Sequence, residues 1–362
     1  MADEPPLVSV IIPNYNYART LGYCIRSAQT QDYPRLEVIV VDDRSTDDSL
    51  QVATATGARV LRTPVNSGVA AARNLGADHA TGEILFFLDS DVALEPAAVA
   101  NAVRILQAEP EVGAICGMYL PEPMFADSLI KQYRALQQYF WFNEIEGPIP
   151  GLHSALFGIR AEVFAEIGPF NPRLRYTEEQ EYGFRLHERY EVRATKQIRG
   201  RHDHDDRLSV VLRKVFHRTR LGIPVWLRLR RLPGGAATGG RAASSAVFLL
   251  AALSLPLPLL FGPAAIAAPV LLLAGAIGLD AGTYRYVFRH RGPAFGLYFV
   301  GVHALVNLTC AVAAGTGVLQ RVLFPRRVRR LYSTADLVPA GAGPAGGAQA
   351  GVPASAPQGV EA

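Results

Sequence analysis

"ILFFLDSDV", residues 84–92, decides the reading of the fold. Five apolar residues stand in a row, the pattern of a strand covered on both faces. Two carboxylates, Asp89 and Asp91, follow at its end, one residue apart. A doubly buried strand that ends in paired charges implies a sheet whose strand ends hold a polar rim.

Working outward, the same arrangement repeats. "LVSVIIP" (7–13) is a β-branched run stopped by proline, and "LEVIVVDDRSTDDS" (36–49) is a second buried strand that runs into aspartates and a turn. "ARVLRTP" (58–64) reads as a short third strand. Helical spacing fills the gaps at 18–31 and 68–81, and Asp47, after the second strand, stands where a helix N-cap would be useful. Strands alternating with helices predict an α/β fold with a Rossmann-like, mostly parallel sheet. In such sheets ligands sit beyond the carboxyl ends of the strands. Residues 13–16, 42–43 and 89–91 all fall there. A helix over 97–108, a strand near 112–119 and an aromatic helix over 129–144 follow, then two helices within 151–192 separated by an acidic knot. The aromatics of 129–144 read as packing residues.

Composition divides the 362 residues unevenly. Residues 1–207 mix charge and apolar side chains as a cytosolic domain does, and "MADEPPLVSV" has no basic stretch followed by an apolar one, so no cleavable signal is expected. Residues 208–243 are basic and amphipathic, a pattern suited to the headgroup plane. Residues 244–320 hold runs at 244–262, 263–282 and 295–320, each long enough for a transmembrane helix at roughly 20 residues per crossing. Residues 321–362 are a basic stretch followed by an Ala/Gly/Pro tail expected to be disordered. The net charge of +4 is concentrated at 199–241, 285–291 and 321–330, beside the apolar runs. That favours a membrane partner over nucleic acid, for which no reader motif is present. Two or three spans each leave one basic cluster on the wrong side of the positive-inside rule, unless one apolar segment is re-entrant. His303 and Asn307, four apart, share a helix face. Cys24, Cys116 and Cys310 show no zinc or disulfide spacing and read as packing residues.

A D-x-D at a strand end suits a magnesium or manganese ion that also holds a diphosphate, because hard divalent cations take one or two carboxylates and fill the remaining positions with phosphate and water. With this motif in place, "SVIIPNYNYARTLGYCIRSAQTQDYPRLEVIVVDDRSTDDS", "NSGVAAARNLGADHATGEILFFLDSDV" and "YTEEQEYGFRL" together resemble glycosyltransferase family 2, inverting enzymes of the GT-A fold, over about residues 7–215. The resemblance implies transfer of a sugar from a nucleoside-diphosphate sugar donor to an acceptor hydroxyl or phosphate. It implies that Pro13, Tyr15 and Asn16 hold base and ribose, that Asp43 bonds the base, and that Asp42 is structural. It implies further that Asn66, Gly68 and Arg73 lie near the donor, that Asp89 meets ribose and diphosphate, and that Asp91 is the main ligand of a divalent cation (Mg or Mn). Glu179 stands where the family has an aspartate base, one methylene longer, with Glu178 and Glu181 as alternatives. His202 or His204 in "RGRHDHDDR" (199–207) would serve the metal, His202 preferred, and Arg185 would brace the acidic knot.

The absence of Q-x-x-R-W points to addition of one or few sugars. The amphipathic and apolar segments point to a lipid-linked or cell-envelope glycan acceptor at the cytoplasmic face of the inner membrane, with a multi-pass anchor. The rival readings are a membrane-anchored sugar-nucleotide-binding protein without catalysis and a sugar nucleotidylyltransferase. A dinucleotide oxidoreductase is excluded by "PNYNYA" where G-x-G-x-x-G would stand.

Overall fold

A computed structural model describes residues 4–142, 145–153, 155–229, 238–326 and 332–333. Its first half runs β1 (Val8–Asn14), α1 (Ala18–Gln29), β2 (Leu36–Asp42), α2 (Ser49–Ala55), β3 (Arg59–Arg62), α3 (Val69–Asp78), β4 (Ile84–Leu88), β5 (Val92–Leu94), α4 (Ala98–Ala108) and β6 (Val112–Tyr119). Then come α5 (Leu129–Phe142), β7 (Gly147–Pro148), β8 (Leu156–Arg160), α6 (Ala161–Ile167), α7 (Glu178–His187), β9 (Glu191–His202) and α8 (Leu208–Leu229). The apolar part holds α9 (Gly239–Ser254), α10 (Leu257–Phe261), α11 (Ala267–Leu279) and α12 (Ala281–Leu323). In α12, Gly292 at φ 80° breaks the helical geometry just before Pro293.

The described strands form one sheet in the order β3-β2-β1-β4-β8-β6-β9-β5, with β7 paired to β9. The first four are parallel neighbours. Beyond β4 the sheet is mixed: β8 runs antiparallel to β4 and to β6, and β6 runs parallel to β9. The antiparallel strand "LFGIR" is short and follows a turn directly, so its direction left no mark in the composition.

The opening strand is covered as its sequence requires. Phe86 and Leu88 pack into the core under α1 and α4, while Leu85 and Phe87 pack into the core on the other face. Phe87 stacks on Phe157 with centroids 4.8 Å apart and meets Phe170 edge-on. Each such ring contributes about 1.5–3 kcal/mol by its burial. Helix α3 lies so close to β1 that a Cβ on Gly76 would come within 2.4 Å of Ile11 Cγ2. That contact fixes where the N-terminus of α3, and with it Arg73, meets the strand ends.

Among the described residues one helix, Ala281–Leu323, is long and apolar enough to cross a membrane by length and composition. The other two expected spans fold as shorter apolar helices. The basic "RRVRR" run (326–330) beyond Arg326, the stretch 230–237 and the tail from 334 lie outside the described residues.

Candidate active site

A cleft of about 410 Å3 opens at the carboxyl ends of β1, β2 and β4 and is closed by α5, α7 and α8. Pro13, Tyr15, Asp43, Asn66, Gly68, Arg73, Asp89, Asp91, Glu178, Glu179 and His202 all line it. Two expected residues do not. Asn16 is held at φ 60° with its amide spent on the 45–47 turn, accepting from the Thr46 N–H at 2.7 Å and donating to Thr46 Oγ1 at 3.1 Å. Glu181 is turned away, gripped by Arg185 at 2.7 and 3.1 Å, and that guanidinium also donates to the Ile167 and Pro169 carbonyls.

Asp43 is buried and organises the loop that faces it. One oxygen accepts from Thr63 Oγ1 at 2.7 Å and the Ser67 N–H at 2.9 Å, and the other from the Gly68 N–H at 2.8 Å. Gly68 caps α3 at φ +89°, a conformation in which a Cβ would be strained. Asp42 is occupied structurally, paired with Arg62 at 3.1 Å.

Arg73 ties the two acidic segments together. It is 1% exposed, and it donates to Asp89 Oδ1 at 2.7 Å and to Glu178 Oε1 at 3.1 Å. The end of β4 and the start of α7, distant in sequence, therefore share one guanidinium. Glu179, next to it, lies half-buried. Burial first, then the Glu178 charge, push its carboxyl up to about 8, against the opposing pull of Arg218. A carboxyl in that range is suited to take a proton near neutral pH.

The D-x-D carboxylates diverge electrically. Burial raises Asp89 in spite of Arg73. Burial acts the same way on Asp91, but His202 and then Lys214 outweigh it and hold Asp91 below its usual range. His202 Nε2 is 3.3 Å from Asp91 Oδ1, its ring stacks on Tyr119, and its Nδ1 lies 2.6 Å from His204 Nδ1. Among the described residues no three His, Cys, Asp or Glu side chains converge to hold a metal by themselves. Asp91 Oδ1 is nonetheless buried without a hydrogen bond. A buried carboxylate oxygen whose near neighbour is one imidazole, at 3.3 Å, fits a hard cation that completes its shell with phosphate and water.

Sequence reasoning did not find the cleft's other wall. Tyr17, Arg134, Gln138, Lys214 and Arg218 line it. The Tyr17 phenol is raised first by the Asp91 charge and then by burial. Val211, Lys214, Val215 and Arg218 come from one face of α8, the segment expected in the headgroup plane. Lys214 reaches Asp205 at 2.7 Å, and the Glu179 and Glu178 charges overcome burial to raise Arg218. The available signal was the i, i+4 spacing of Lys214 and Arg218 on a valine-bearing face.

Residues 9–168 match the model of the family described as Glycosyl transferase family 2. Over 113 residues the chain is 38% identical to an uncharacterized glycosyltransferase of Nostoc sp., a match covering 30% of this chain and 35% of that protein. Over 188 residues it is 29% identical to an uncharacterized glycosyltransferase of Rickettsia prowazekii, covering 50% of this chain and 58% of that protein. The chain thus matches between 35% and 58% of the length of these relatives. Among solved structures, the mannosyltransferase PcManGT from Pyrobaculum calidifontis in complex with GDP-Man and Mn2+ has a TM-score of 0.53 at 20% identity. That likeness, which covers 89% of this chain and 88% of the other, is one of fold, and the fold is of the GT-A type.

Proposed function

We propose, on the premise of the Glycosyl transferase family 2 domain that this chain carries, that it is a metal-dependent inverting glycosyltransferase. It takes a sugar from a nucleoside-diphosphate donor and delivers it to an acceptor hydroxyl. The observation that carries the reading is the Arg73 bridge. It holds Asp89 at the donor end and Glu178, the neighbour of Glu179, on one cation inside one cleft.

In this reading Pro13, Tyr15, Asp43, Asn66 and Gly68 form the nucleotide end of the cleft. Asp91 and His202 would hold a divalent cation, with Asp89 beside it. When bound, that cation would neutralise charge developing on the leaving diphosphate. Glu179 accepts the proton of the acceptor hydroxyl as its oxygen bonds the anomeric carbon, while the bond to the diphosphate breaks on the opposite side. Glu178 is already engaged by Arg73, which favours Glu179 as the base. Lys214 and Arg218 bring positive charge to the same space from α8.

The acceptor class we propose is a lipid-linked or envelope glycan at the cytoplasmic face of the inner membrane, extended by one or few sugars. Support comes from α8, which lines the cleft and also packs on the apolar helix α12, Val211 and Val215 taking part in both.

The test is release of nucleoside diphosphate from a panel of UDP-, GDP- and dTDP-sugars by the full chain in membranes, with and without Mn2+. Glu179→Gln should abolish release and keep donor binding. A wild-type chain that binds a donor but never releases diphosphate would instead be a binding protein. Full turnover by Glu179→Gln would remove this glutamate from the mechanism.

A further inference from the structure

Helix α12 is apolar enough to span a membrane, but it stays against the catalytic domain. Its Tyr284, Val287, Phe299 and Val306 share one core with Tyr133 of α5 and Val211 of α8. Farther along, Thr219 Oγ1 of α8 lies 3.8 Å from Cys310 Sγ, and a Cβ on Gly317 would lie 2.6 Å from the Arg220 carbonyl oxygen. The two helices therefore run side by side and in step for roughly 20 Å at 1.5 Å per residue. Helix α8 is itself fixed to the domain at both ends of this stretch. Val211 lines the cleft, and the Trp226 indole donates to Gln180 Oε1 of α7 at 3.2 Å. A helix strapped in this way lies along the domain and does not lead away from it.

The segments around the three basic clusters come back to the same domain. Arg241 donates to the Phe140 and Trp141 carbonyls at 3.2 and 3.3 Å. Arg291 donates to Gln132 Oε1. Beyond α12, the Tyr332 hydroxyl donates to the Leu221 carbonyl at 2.6 Å and lies 3.3 Å from Thr177 Oγ1, at the start of α7. Any odd number of crossings between these points would pull one of the contacts apart.

The hairpin of α9, α10 and α11 is what remains to enter the bilayer. Its feet are polar: Ser244 donates to Asp280 Oδ2 at 2.8 Å and Ser245 to Asn307 Oδ1 at 2.7 Å. From 242 to 279 it carries no charged residue. Its tip is its most exposed apolar part, with Leu259 89%, Leu260 70% and Phe261 75% exposed. Even counted as if helical throughout, Ser245 to Phe261 is at most roughly 24 Å, and the break between α9 and α10 shortens it further, so it falls short of a hydrocarbon core of about 30 Å. A hairpin that crossed would need a tip able to meet water, and this tip has no side chain for it.

We propose that the chain is monotopic. The hairpin 239–279 dips into one anionic leaflet and ends within it, α12 lies along the surface of that leaflet, and no segment crosses. The exposed Arg285, Arg289, Arg291 and Arg326 then all face the headgroups from one side, where anionic lipid attracts them. The conflict with the positive-inside rule, present for two or three spans, disappears.

The test uses the full chain in sealed vesicles of both orientations, with one reporter cysteine added at a time to the native Cys24, Cys116 and Cys310: Glu4→Cys, Leu260→Cys, Arg289→Cys and Arg326→Cys. A membrane-impermeant maleimide is read against the parent chain. Glu4→Cys, Arg289→Cys and Arg326→Cys should all label from one side and stay blank from the other, and Leu260→Cys should stay blank from both. Label on Arg289→Cys or Arg326→Cys from the side opposite Glu4→Cys, or on Leu260→Cys from either side, overturns the proposal. As a second measurement, Phe261→Asp should reduce the fraction of chain that floats with phosphatidylglycerol vesicles. A tip that emerges into water would tolerate that charge, so unchanged flotation also overturns it.

Discussion

Replacing Arg73 by methionine tests the bridge on which the cleft is built. The guanidinium is 1% exposed and pairs two carboxylates. Methionine keeps much of the side-chain volume and removes the charge and the donors. Glu178, with its side chain 6% exposed, would then be an ion in the interior with neither oxygen paired by Arg73, and its Oε2 already has no hydrogen-bond partner. Breaking a buried pair from one side costs roughly 3–5 kcal/mol. The Asp89 side chain is 30% exposed and can recruit water, so the lower end, about 3 kcal/mol, is the expected loss. At about 2–4 °C per kcal/mol for a domain of this size, the melting point should fall by roughly 6–12 °C. The assay is thermal unfolding of the full chain in one lipid or detergent condition, for Arg73→Met, Glu178→Gln and the double variant. Because the double variant no longer buries an unpaired charge at position 178, it should regain at least about 1 kcal/mol over the sum of the single losses. Arg73→Met within about 1 kcal/mol of wild type, or strictly additive losses, would refute the claim that this arginine neutralises the site.

Turnover should rise with pH and level off above about 8, as Glu179 loses its proton; Arg218→Leu should move that limb to higher pH, because Arg218 opposes the rise. The folded-state value stands above the ordinary carboxyl value of 4.5, so this carboxyl costs stability progressively as pH climbs from 4.5 to 8. Glu179→Gln should melt with wild type at pH 4 and above it at pH 8, by about 1–2 kcal/mol after discounting for partial exposure. His202→Ala should weaken Mn2+ binding to the nucleotide-loaded chain by roughly 10–100-fold in a calorimetric titration, and unchanged binding would take His202 out of the ligand set. Gly317→Leu would press on the Arg220 carbonyl and on Ile223, whose Cβ is already 3.0 Å from the position of an added Cβ. It should cost about 1–3 kcal/mol, measured as thermal stability, whereas Gly315→Leu, with open space around it, should cost little.

The strand-end rim was legible because its physics is local. A run such as "ILFFL" must be covered on both faces, and charges directly after it must sit where the sheet stops. Asp43, Asp89, Asp91 and Arg73 followed from that and from the order of the motifs. Asn16 was legible by position only, since its positive φ and its bonds to Thr46 are properties of a folded turn. The closing wall was not legible. Basic residues on an amphipathic helix have the same pattern whether they face phospholipid or a row of buried carboxylates, and only the packing of α8 over Glu179 tells the two apart. Glu181 was open as a base until its neighbour one helical turn on, Arg185, was seen to hold both of its oxygens.

Helix α5 serves two masters. Arg134 and Gln138 stand in the cleft wall, while the adjacent Tyr133 hydroxyl lies 3.1 Å from His303 Nδ1 of α12 and accepts from Gln137 at 2.6 Å. A rigid rod gripped through Tyr133 by an apolar partner cannot tilt without dragging the next residue, Arg134, which is itself bonded to Gln137. Whatever seats the apolar helices, or unseats them, is therefore felt in the cleft as a change in where one positive charge points.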